Sequence, residues 1–171
     1  NELSPKEFNE LEKCIKNPKQ DIMPDQFLDY ILWLSKLPSR QESFGEFISK
    51  KLTKHPGARI LEVGCGRTAR LSRILAKQGF NVTCIDKIVE PEKVSTEVNA
   101  IKGLFIHDEF DLSEYDFVIA QEPCDATEHI LLACKTQSKP FFMSLCGVPH
   151  AKLSGGMPKN YEEWYDYLLN V

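Results

Sequence analysis

Hydrophobic and polar positions along the chain follow two patterns, which divide it near residue 56. Up to that point apolar residues recur every three to four positions, the period of amphipathic helices. They form three groups that begin near Ser4, Pro24 and Gln41. Pro38 ends the second group and His55-Pro56-Gly57 follows the third, which is expected to span residues 41–53. The pattern predicts a helical lead-in over residues 1–56.

From residue 57 onward, short apolar runs typical of buried strands alternate with segments of helical period. The predicted strands are residues 59–63, 81–86, 100–106, 115–120 and 140–146. The predicted helices are residues 69–78, a short one within 92–99, 127–135 and 161–169. Such alternation is typical of a mostly parallel sheet with helices on both faces. We therefore predict a three-layer α/β sandwich over residues 57–171, joined to the lead-in in one compact domain.

The first predicted strand ends in two glycines one residue apart, Gly64 and Gly66, and a helical pattern begins soon after them. Glycine lets a ligand approach the backbone closely and tolerates the positive φ of a tight turn. Asp86 lies 20 residues beyond Gly66, at the end of the next strand. This spacing is typical of a unit that binds a nucleoside-bearing cofactor, in which the acid accepts hydrogen bonds from the ribose diol.

Glu62 distinguishes between two classes of such cofactor. With Ala69, the glycines also fit the G-x-G-x-x-A variant of the dinucleotide fingerprint. A dinucleotide-binding strand normally stays apolar up to its first glycine, because a carboxylate there repels a pyrophosphate. A cofactor with a cationic amino acid tail benefits from that charge. Glu62 therefore favours S-adenosylmethionine over NAD.

The segment Ile60-Leu-Glu-Val-Gly-Cys-Gly66 resembles motif I of the class I S-adenosylmethionine-dependent methyltransferases, and Asp86 matches that family's ribose-binding acid. The resemblance covers residues 58–147. It implies a Rossmann-like fold in which Glu62, Gly64, Cys65 and Gly66 surround the methionine end of the cofactor. Thr68 stands where many members have a third glycine. A complete core of this family usually adds another helix and a closing strand pair, so we expect a sheet abbreviated to about five strands.

The resemblance also implies two further cofactor contacts. Asp108 follows the third strand, where the family often places an acid that accepts from the adenine amino group; a solvated acidic loop is the alternative for Asp108. Gln121 opens the Gln121-Glu-Pro-Cys124 turn after the fourth strand, and we count it among the cofactor-binding candidates. This turn does not match the Asn-Pro-Pro-aromatic pattern of many amino-group methyltransferases. It also resembles, less closely, the turn of a short Rossmann-like archaeal family without a known substrate.

No catalytic residue is assigned from the sequence. Cys124 follows a proline, as does the nucleophile of the cytosine-5 DNA methyltransferases, but the neighbouring acids are expected to raise its pKa. His107 and His150 lie near the predicted ligand edge as candidate bases, whereas His129 is expected on a helix surface. Methyl transfer also proceeds by alignment alone. Several aromatic side chains are candidates for an acceptor pocket, the core or an interface: Trp33, Tyr161, Trp164, Tyr165 and Tyr167.

Composition narrows the functional classes. The 171 residues carry a net charge of −4, which gives no general attraction to nucleic acid. The six cysteines form no C-x-x-C pair, which argues against a disulfide framework and against a zinc site, so no metal is expected. No signal peptide or membrane-length apolar run is seen, and we expect a cytoplasmic protein.

The sequence therefore predicts an S-adenosylmethionine-dependent methyltransferase. The acceptor stays open among a small molecule, RNA and protein, and so does the oligomeric state. The alternative is a protein that binds S-adenosylmethionine or S-adenosylhomocysteine without catalysis, such as a degenerate methyltransferase subunit. A nucleotide-dependent oxidoreductase is a weaker third reading.

Overall fold

Five parallel strands organise the part of the chain that the structure describes. This computed structural model describes residues 37–171, so the predicted helices near Ser4 and Pro24, and Trp33, lie outside the described residues. Gly45–Val171 form one compact unit. The strands are β1 (Arg59–Val63), β2 (Asn81–Asp86), β3 (Val98–Lys102), β4 (Phe117–Gln121) and β5 (Phe141–Ser144). Their order in the sheet is β3-β2-β1-β4-β5, and every pairing is parallel.

Four α-helices accompany the strands: α1 (Arg40–Lys51), α2 (Arg70–Lys77), α3 (Thr127–Thr136) and α4 (Tyr161–Asn170). Each agrees with a predicted helix to within two residues. A capping box begins α1, because Ser39 donates its backbone N–H to the Glu42 carboxylate (2.7 Å) and accepts from the Glu42 N–H (3.3 Å). Asn160 caps α4 by accepting from the Glu163 N–H at 2.8 Å. None of the described helices has the length and apolar character needed to span a membrane.

The prediction was wrong between β2 and β4. The expected helix within residues 92–99 is only a 3-10 turn, Pro91–Lys93, and β3 begins and ends earlier than expected. Val98 pairs with Val82, and Asp86 pairs with Lys102. Since β3 is an edge strand that pairs only with β2 among the described strands, its register is set by that neighbour. The apolar run at residues 104–106, predicted as strand, is left outside the sheet.

The two faces of the sheet bury different side chains, as the two-residue period of a strand requires. On one face Leu61 and Val63 pack in a core cluster with Ile130 and Ala133 of α3. On the other face α2 covers the sheet, since Ser72 of α2 donates a hydrogen bond to the carboxylate of Glu62 in β1. Helices therefore lie on both sides, and the ends of β1, β2 and β4 meet at the carboxyl edge.

Candidate cofactor-binding site

A cavity of about 370 Å³ opens at the carboxyl edge of the sheet. Because the strands are parallel, the turns that follow β1, β2 and β4 all reach this edge, and so does the segment after β3. The volume of the cavity lies within the range found for ligand pockets. Lining residues from these four segments include Gly64, Gly66, Asp86, Phe105, Glu122 and Cys124.

Asp86 connects the glycine turn to the end of β2. Its carboxylate accepts a hydrogen bond from the Gly66 N–H at 2.8 Å through Oδ2 and one from the Ile88 N–H at 2.9 Å through Oδ1. An ionised carboxylate has about four acceptor positions. Both oxygens therefore keep a lone pair for a further donor while the backbone bonds fix their direction at the cavity wall.

Gly64 is required by the close approach of two turns. Its φ is +78°, and a Cβ at this position would lie 3.1 Å from the Pro123 Cα and 3.2 Å from the Pro123 Cβ. Pro123 stands between two residues that themselves have positive φ, Glu122 at 52° and Cys124 at 50°. The turns after β1 and β4 are therefore in direct contact, and together they form one wall of the cavity.

Gly66 faces a different environment. Its φ is +68°, but a Cβ there would meet nothing within 4 Å. The open space lies on the cavity side, since Gly66 is one of the lining residues. Cys65 between the two glycines is buried. Its hydrogen bond with Cys84, burial, and the charges of Glu62 and Asp86 raise the pKa of its thiol, so Cys65 stays neutral and fills space.

Glu62 is a buried carboxyl behind the glycine turn, with 2% of its surface exposed. Its pKa is raised to about 7, mainly by burial; the hydrogen bonds from Ser72 oppose this rise, and the negative charge of Asp86 adds to it. Glu62 is not among the residues that line the cavity. The carboxyl is therefore partly charged at neutral pH and sensitive to any cation that binds near the turn.

The sequence-predicted residues are only partly brought together. Gly64, Gly66 and Asp86 line the cavity, whereas Glu62 and Cys65 lie behind its wall. Gln121 ends β4 outside the lining, and its buried side-chain oxygen has no hydrogen-bond partner among the described residues. Asp108 is exposed and does not line the cavity.

Sequence reasoning missed the apolar part of the cavity wall. Ile88 and Leu104 line the cavity beside Phe105, and 67% of the Leu104 side chain is exposed. Gly103 and the apolar residues after it could have indicated this part of the wall, but their pattern also predicts a strand. Exposed apolar side chains beside an acidic strand end suit the flat face of a nucleoside base.

The aromatic candidates on α4 do not line this cavity. Trp164 is buried with 2% exposure, and its ring stacks on Tyr167 at a centroid distance of 5.8 Å. Tyr161 and Tyr165 are exposed and stack on each other. Core packing therefore accounts for Trp164, and none of the three tyrosines contributes to the cavity wall.

The cysteine and histidine candidates also take definite positions. Burial, Cys146, Asp125 and Glu122 raise the pKa of Cys124 to about 11, so the thiol is protonated at neutral pH and is a poor nucleophile. His129 lies half-buried on α3. Its Nδ1 accepts the His107 backbone N–H at 3.3 Å and lies 2.9 Å from the His107 Nδ1.

Acidification is expected to destabilise the protein through His129. Burial and the neighbouring His107 lower its pKa below 6.5, against the opposing charges of Glu128 and Asp108. The unfolded chain therefore binds a proton that the folded protein excludes, so this stabilisation is present above pH 6.5 and lost as the pH falls. When the pH is lowered from about 7.5 to about 5.5, the melting temperature of the wild type should fall further than that of His129→Gln.

His55→Gln, which alters a histidine packed on Phe117, is the control. Its melting temperature should fall with pH as steeply as that of the wild type. Equal slopes in all three proteins would contradict the prediction.

Sequence comparison finds methyltransferases. The chain is 36% identical over 89 residues to the ubiquinone biosynthesis O-methyltransferase of Actinobacillus pleuropneumoniae serotype 7 (strain AP76), which covers 52% of this chain and 37% of that protein. It is 35% identical over 78 residues to the enzyme of the same name from Xylella fastidiosa (strain M23), which covers 46% of this chain and 30% of that protein. The chain thus spans about a third of the length of these relatives. No protein-family model matches it.

Solved structures give the fold. Magnesium protoporphyrin IX methyltransferase from Synechocystis PCC 6803, solved with bound S-adenosylmethionine, superposes with a TM-score of 0.55 at 14% identity, covering 95% of this chain and 78% of that one. The 1,6-didemethyltoxoflavin-N1-methyltransferase of Burkholderia thailandensis superposes with a TM-score of 0.51 at 16% identity, covering 99% of this chain and 79% of that one. The chain therefore has the Rossmann-like α/β fold of the S-adenosylmethionine-dependent methyltransferases, and it resembles members of that family in sequence over about half of its length.

Proposed function

We propose that this protein binds S-adenosylmethionine at the carboxyl edge of the sheet and transfers its methyl group to a small-molecule acceptor. The observation that carries the proposal is the Asp86 carboxylate, bonded to the Gly66 N–H at the mouth of the cavity. The partial sequence match to two O-methyltransferases supports it. A small-molecule acceptor is favoured because the relatives and structural neighbours are named as methyltransferases of small molecules.

The residues at the cavity fit this cofactor. Asp86 has acceptor capacity for a ribose diol, and Ile88, Leu104 and Phe105 offer apolar surface for an adenine ring. The charged residues of the lining are three acids, Asp86, Glu122 and Asp125, and one base, Lys87, which lies 3.9 Å from Asp125. Their net negative charge favours a cationic ligand over a pyrophosphate. When bound, the cofactor supplies a sulfonium methyl group. Cys65, Asp108 and Gln121, which the sequence also predicts as contacts, do not line the cavity and remain proposals.

The chain contributes alignment and electrostatics in this proposal. Asp86 and the glycine turn fix one end of the donor, and the contact between Gly64 and Pro123 holds the turn after β4 against it. Positioning of donor and acceptor supplies much of the acceleration of such a displacement. Negative charge at Glu122, Asp125 and Glu62 stabilises the bound sulfonium cation before the methyl group is transferred. Because this stabilises the reactant, the rate depends on how the acceptor is placed.

The alternative is a protein that binds the cofactor without catalysis. It is favoured by the turn after β4, where Cys124 has a pKa of about 11 and the sequence differs from the amino-group pattern. Calorimetry with S-adenosylmethionine, S-adenosylhomocysteine and NAD tests the cofactor class. Incubation with a labelled methyl donor and a fractionated metabolite extract then tests transfer. Binding of the first two ligands with no labelled product would favour the alternative, whereas binding of NAD alone would overturn both.

Replacing Glu62 by glutamine should weaken S-adenosylmethionine binding about tenfold, the equivalent of about 1.4 kcal/mol, and leave adenosine binding unchanged. Glutamine keeps the size and the oxygen that accepts from Ser72 but removes the charge behind the glycine turn. Adenosine lacks the cationic tail, which makes it the control ligand. Since the pKa of Glu62 is about 7, the difference between wild type and variant should grow as the pH rises from about 6 to about 8. Equal losses for both ligands would show a purely structural role for Glu62.

The location of the protein in the cell is also a proposal. Five described cysteines are free thiols: Cys65, Cys84, Cys124, Cys134 and Cys146. Free thiols are typical of a reducing compartment, and on this ground we propose a cytoplasmic location. Fractionation of cells that express a tagged full chain would test it.

A further inference from the structure

A second group of side chains with ligand chemistry lies beside the cavity. The sulfurs of Cys124 and Cys146 and a ring nitrogen of His150 lie within 4.8 Å of one another. Cys124 follows β4 and belongs to the cavity wall, whereas Cys146 and His150 follow β5. Parallel pairing of β4 with β5 brings these segments to the same edge. Residues that are 22 and 26 positions from Cys124 therefore converge without any short-range sequence motif.

The two ring nitrogens of His150 lie in different surroundings. Its Nδ1 lies 3.4 Å from the Asp125 carboxylate, and its Nε2 is buried with no hydrogen-bond partner among the described residues. A carboxylate beside one ring nitrogen holds the proton there and leaves the lone pair of the other nitrogen free for a metal. A buried nitrogen without a partner is otherwise costly. A cation at this position would remove that cost.

We propose that Cys124, Cys146 and His150 bind one zinc-class divalent ion and leave one coordination position open toward the cavity. Two sulfurs and one nitrogen are ligands that zinc prefers, and three protein ligands with an open fourth position are typical of catalytic rather than structural sites. Around a tetrahedral ion with bonds of about 2.0 to 2.3 Å, ligand atoms lie roughly 3.5 to 3.8 Å apart. Since the three ligand atoms lie within 4.8 Å of one another, each separation needs to shorten by about 1 Å at most. The expectation from sequence of no zinc site rested on the missing C-x-x-C spacing, which this arrangement does not need.

The open position indicates a class of acceptor, and this step rests on the proposed function. A thiol or alcohol that coordinates the ion loses its proton to solvent more easily, because the cation stabilises the anion. The acceptor sulfur or oxygen then forms a bond to the methyl carbon while the carbon–sulfonium bond breaks. The donor leaves as the neutral thioether. Cys124 lines the cavity wall, so an acceptor atom bound to the ion would face the cavity in which the methyl donor is proposed to lie.

Cobalt titration of the reduced, chelator-treated full chain tests the site without the cofactor. One equivalent of Co²⁺ should give thiolate-to-cobalt charge-transfer absorption and the intense visible bands of a tetrahedral ion, and Zn²⁺ should abolish both. Cys124→Ser and Cys146→Ser should each weaken Co²⁺ binding at least 100-fold, and His150→Gln should shift the visible bands. Cys134→Ala alters a buried cysteine of α3 and should bind Co²⁺ like the wild type.

Two results would overturn the proposal: no cobalt absorption in the folded wild type, or an unchanged spectrum in the Cys124→Ser, Cys146→Ser double variant. Circular dichroism of each variant establishes that it is folded, and His150→Gln, which alters a half-buried side chain, gives an independent readout if a cysteine variant does not fold. Calorimetry with S-adenosylmethionine is run separately on metal-free protein. Failure of the metal site with intact cofactor binding would leave the proposed function standing, and the reverse outcome would remove only the acceptor step.

Discussion

The variant Asp86→Asn should bind S-adenosylmethionine about 30- to 100-fold more weakly than the wild type, the largest effect on cofactor affinity that we expect. Hydrogen bonds to a charged acceptor contribute about 1.5 to 3 kcal/mol each, and tenfold in affinity corresponds to about 1.4 kcal/mol. In the wild type the N–H groups of Gly66 and Ile88 both donate to Asp86. The asparagine side chain would turn its own NH₂ donor toward one of them. The glycine turn therefore loses part of its support. Isothermal titration with S-adenosylmethionine and with adenosine measures the effect.

Asp116→Asn is the matched control for Asp86→Asn. Asp116 accepts a backbone N–H from Arg59 at 2.8 Å and pairs with the Arg59 guanidinium at 3.0 Å. It precedes β4 and so lies at the amino edge of the sheet, away from the cavity. This variant removes the same charge and a similar backbone bond, but it should leave the affinity unchanged. If the two variants bind the cofactor equally well, Asp86 is not the ribose contact.

The variant Gly64→Ala should lower the free energy of unfolding by about 2 to 5 kcal/mol, the largest effect on stability that we expect. A side chain at positive φ costs about 1 to 2 kcal/mol, and forced overpacking adds about 1 to 3 kcal/mol. The added Cβ would lie 3.1 Å from the Pro123 Cα. Pro123→Ala would not relieve the clash, since both contacted atoms of Pro123, Cα and Cβ, are also present in alanine. Equilibrium unfolding in urea measures the change.

Gly57→Ala isolates the contribution of the contact. Gly57 has a similar φ of +69°, but a Cβ there would meet nothing within 4 Å. The control should therefore lose only the backbone contribution, about 1 to 2 kcal/mol. Equal destabilisation by the two variants would show that the turns after β1 and β4 do not touch as closely as the geometry indicates.

Much of the fold follows from local patterns. The apolar runs and the helical periods predicted β1, β2 and all four described helices with small errors at their ends. The failures concentrate at the edge strand β3 and at the turn of Pro91–Lys93. In this region the residues have weak preferences of their own, and the pairing with β2 decides the register.

The candidate site divides in the same way. Gly64, Gly66 and Asp86 were recognisable because one strand–turn–helix–strand unit carries all three at a fixed spacing. Glu62 was also found, but its position behind the wall and its pKa of about 7 depend on burial by α2. Ile88 and Leu104 were missed as parts of the wall because nothing local distinguishes an exposed apolar lining residue from a strand residue.

By itself, then, the sequence determined the alternation of strands and helices, the glycine turn with the acid that accompanies it, and the carboxylate of Glu62 on which the proposed cofactor class rests. Only the tertiary structure decided which turns share a wall, since the approach of Pro123 to Gly64 joins residues 59 positions apart. The convergence of Cys124, Cys146 and His150 was decided in the same way. Side-by-side pairing of parallel strands aligns their carboxyl ends whatever their separation along the chain, so contacts at that edge have no short-range signature.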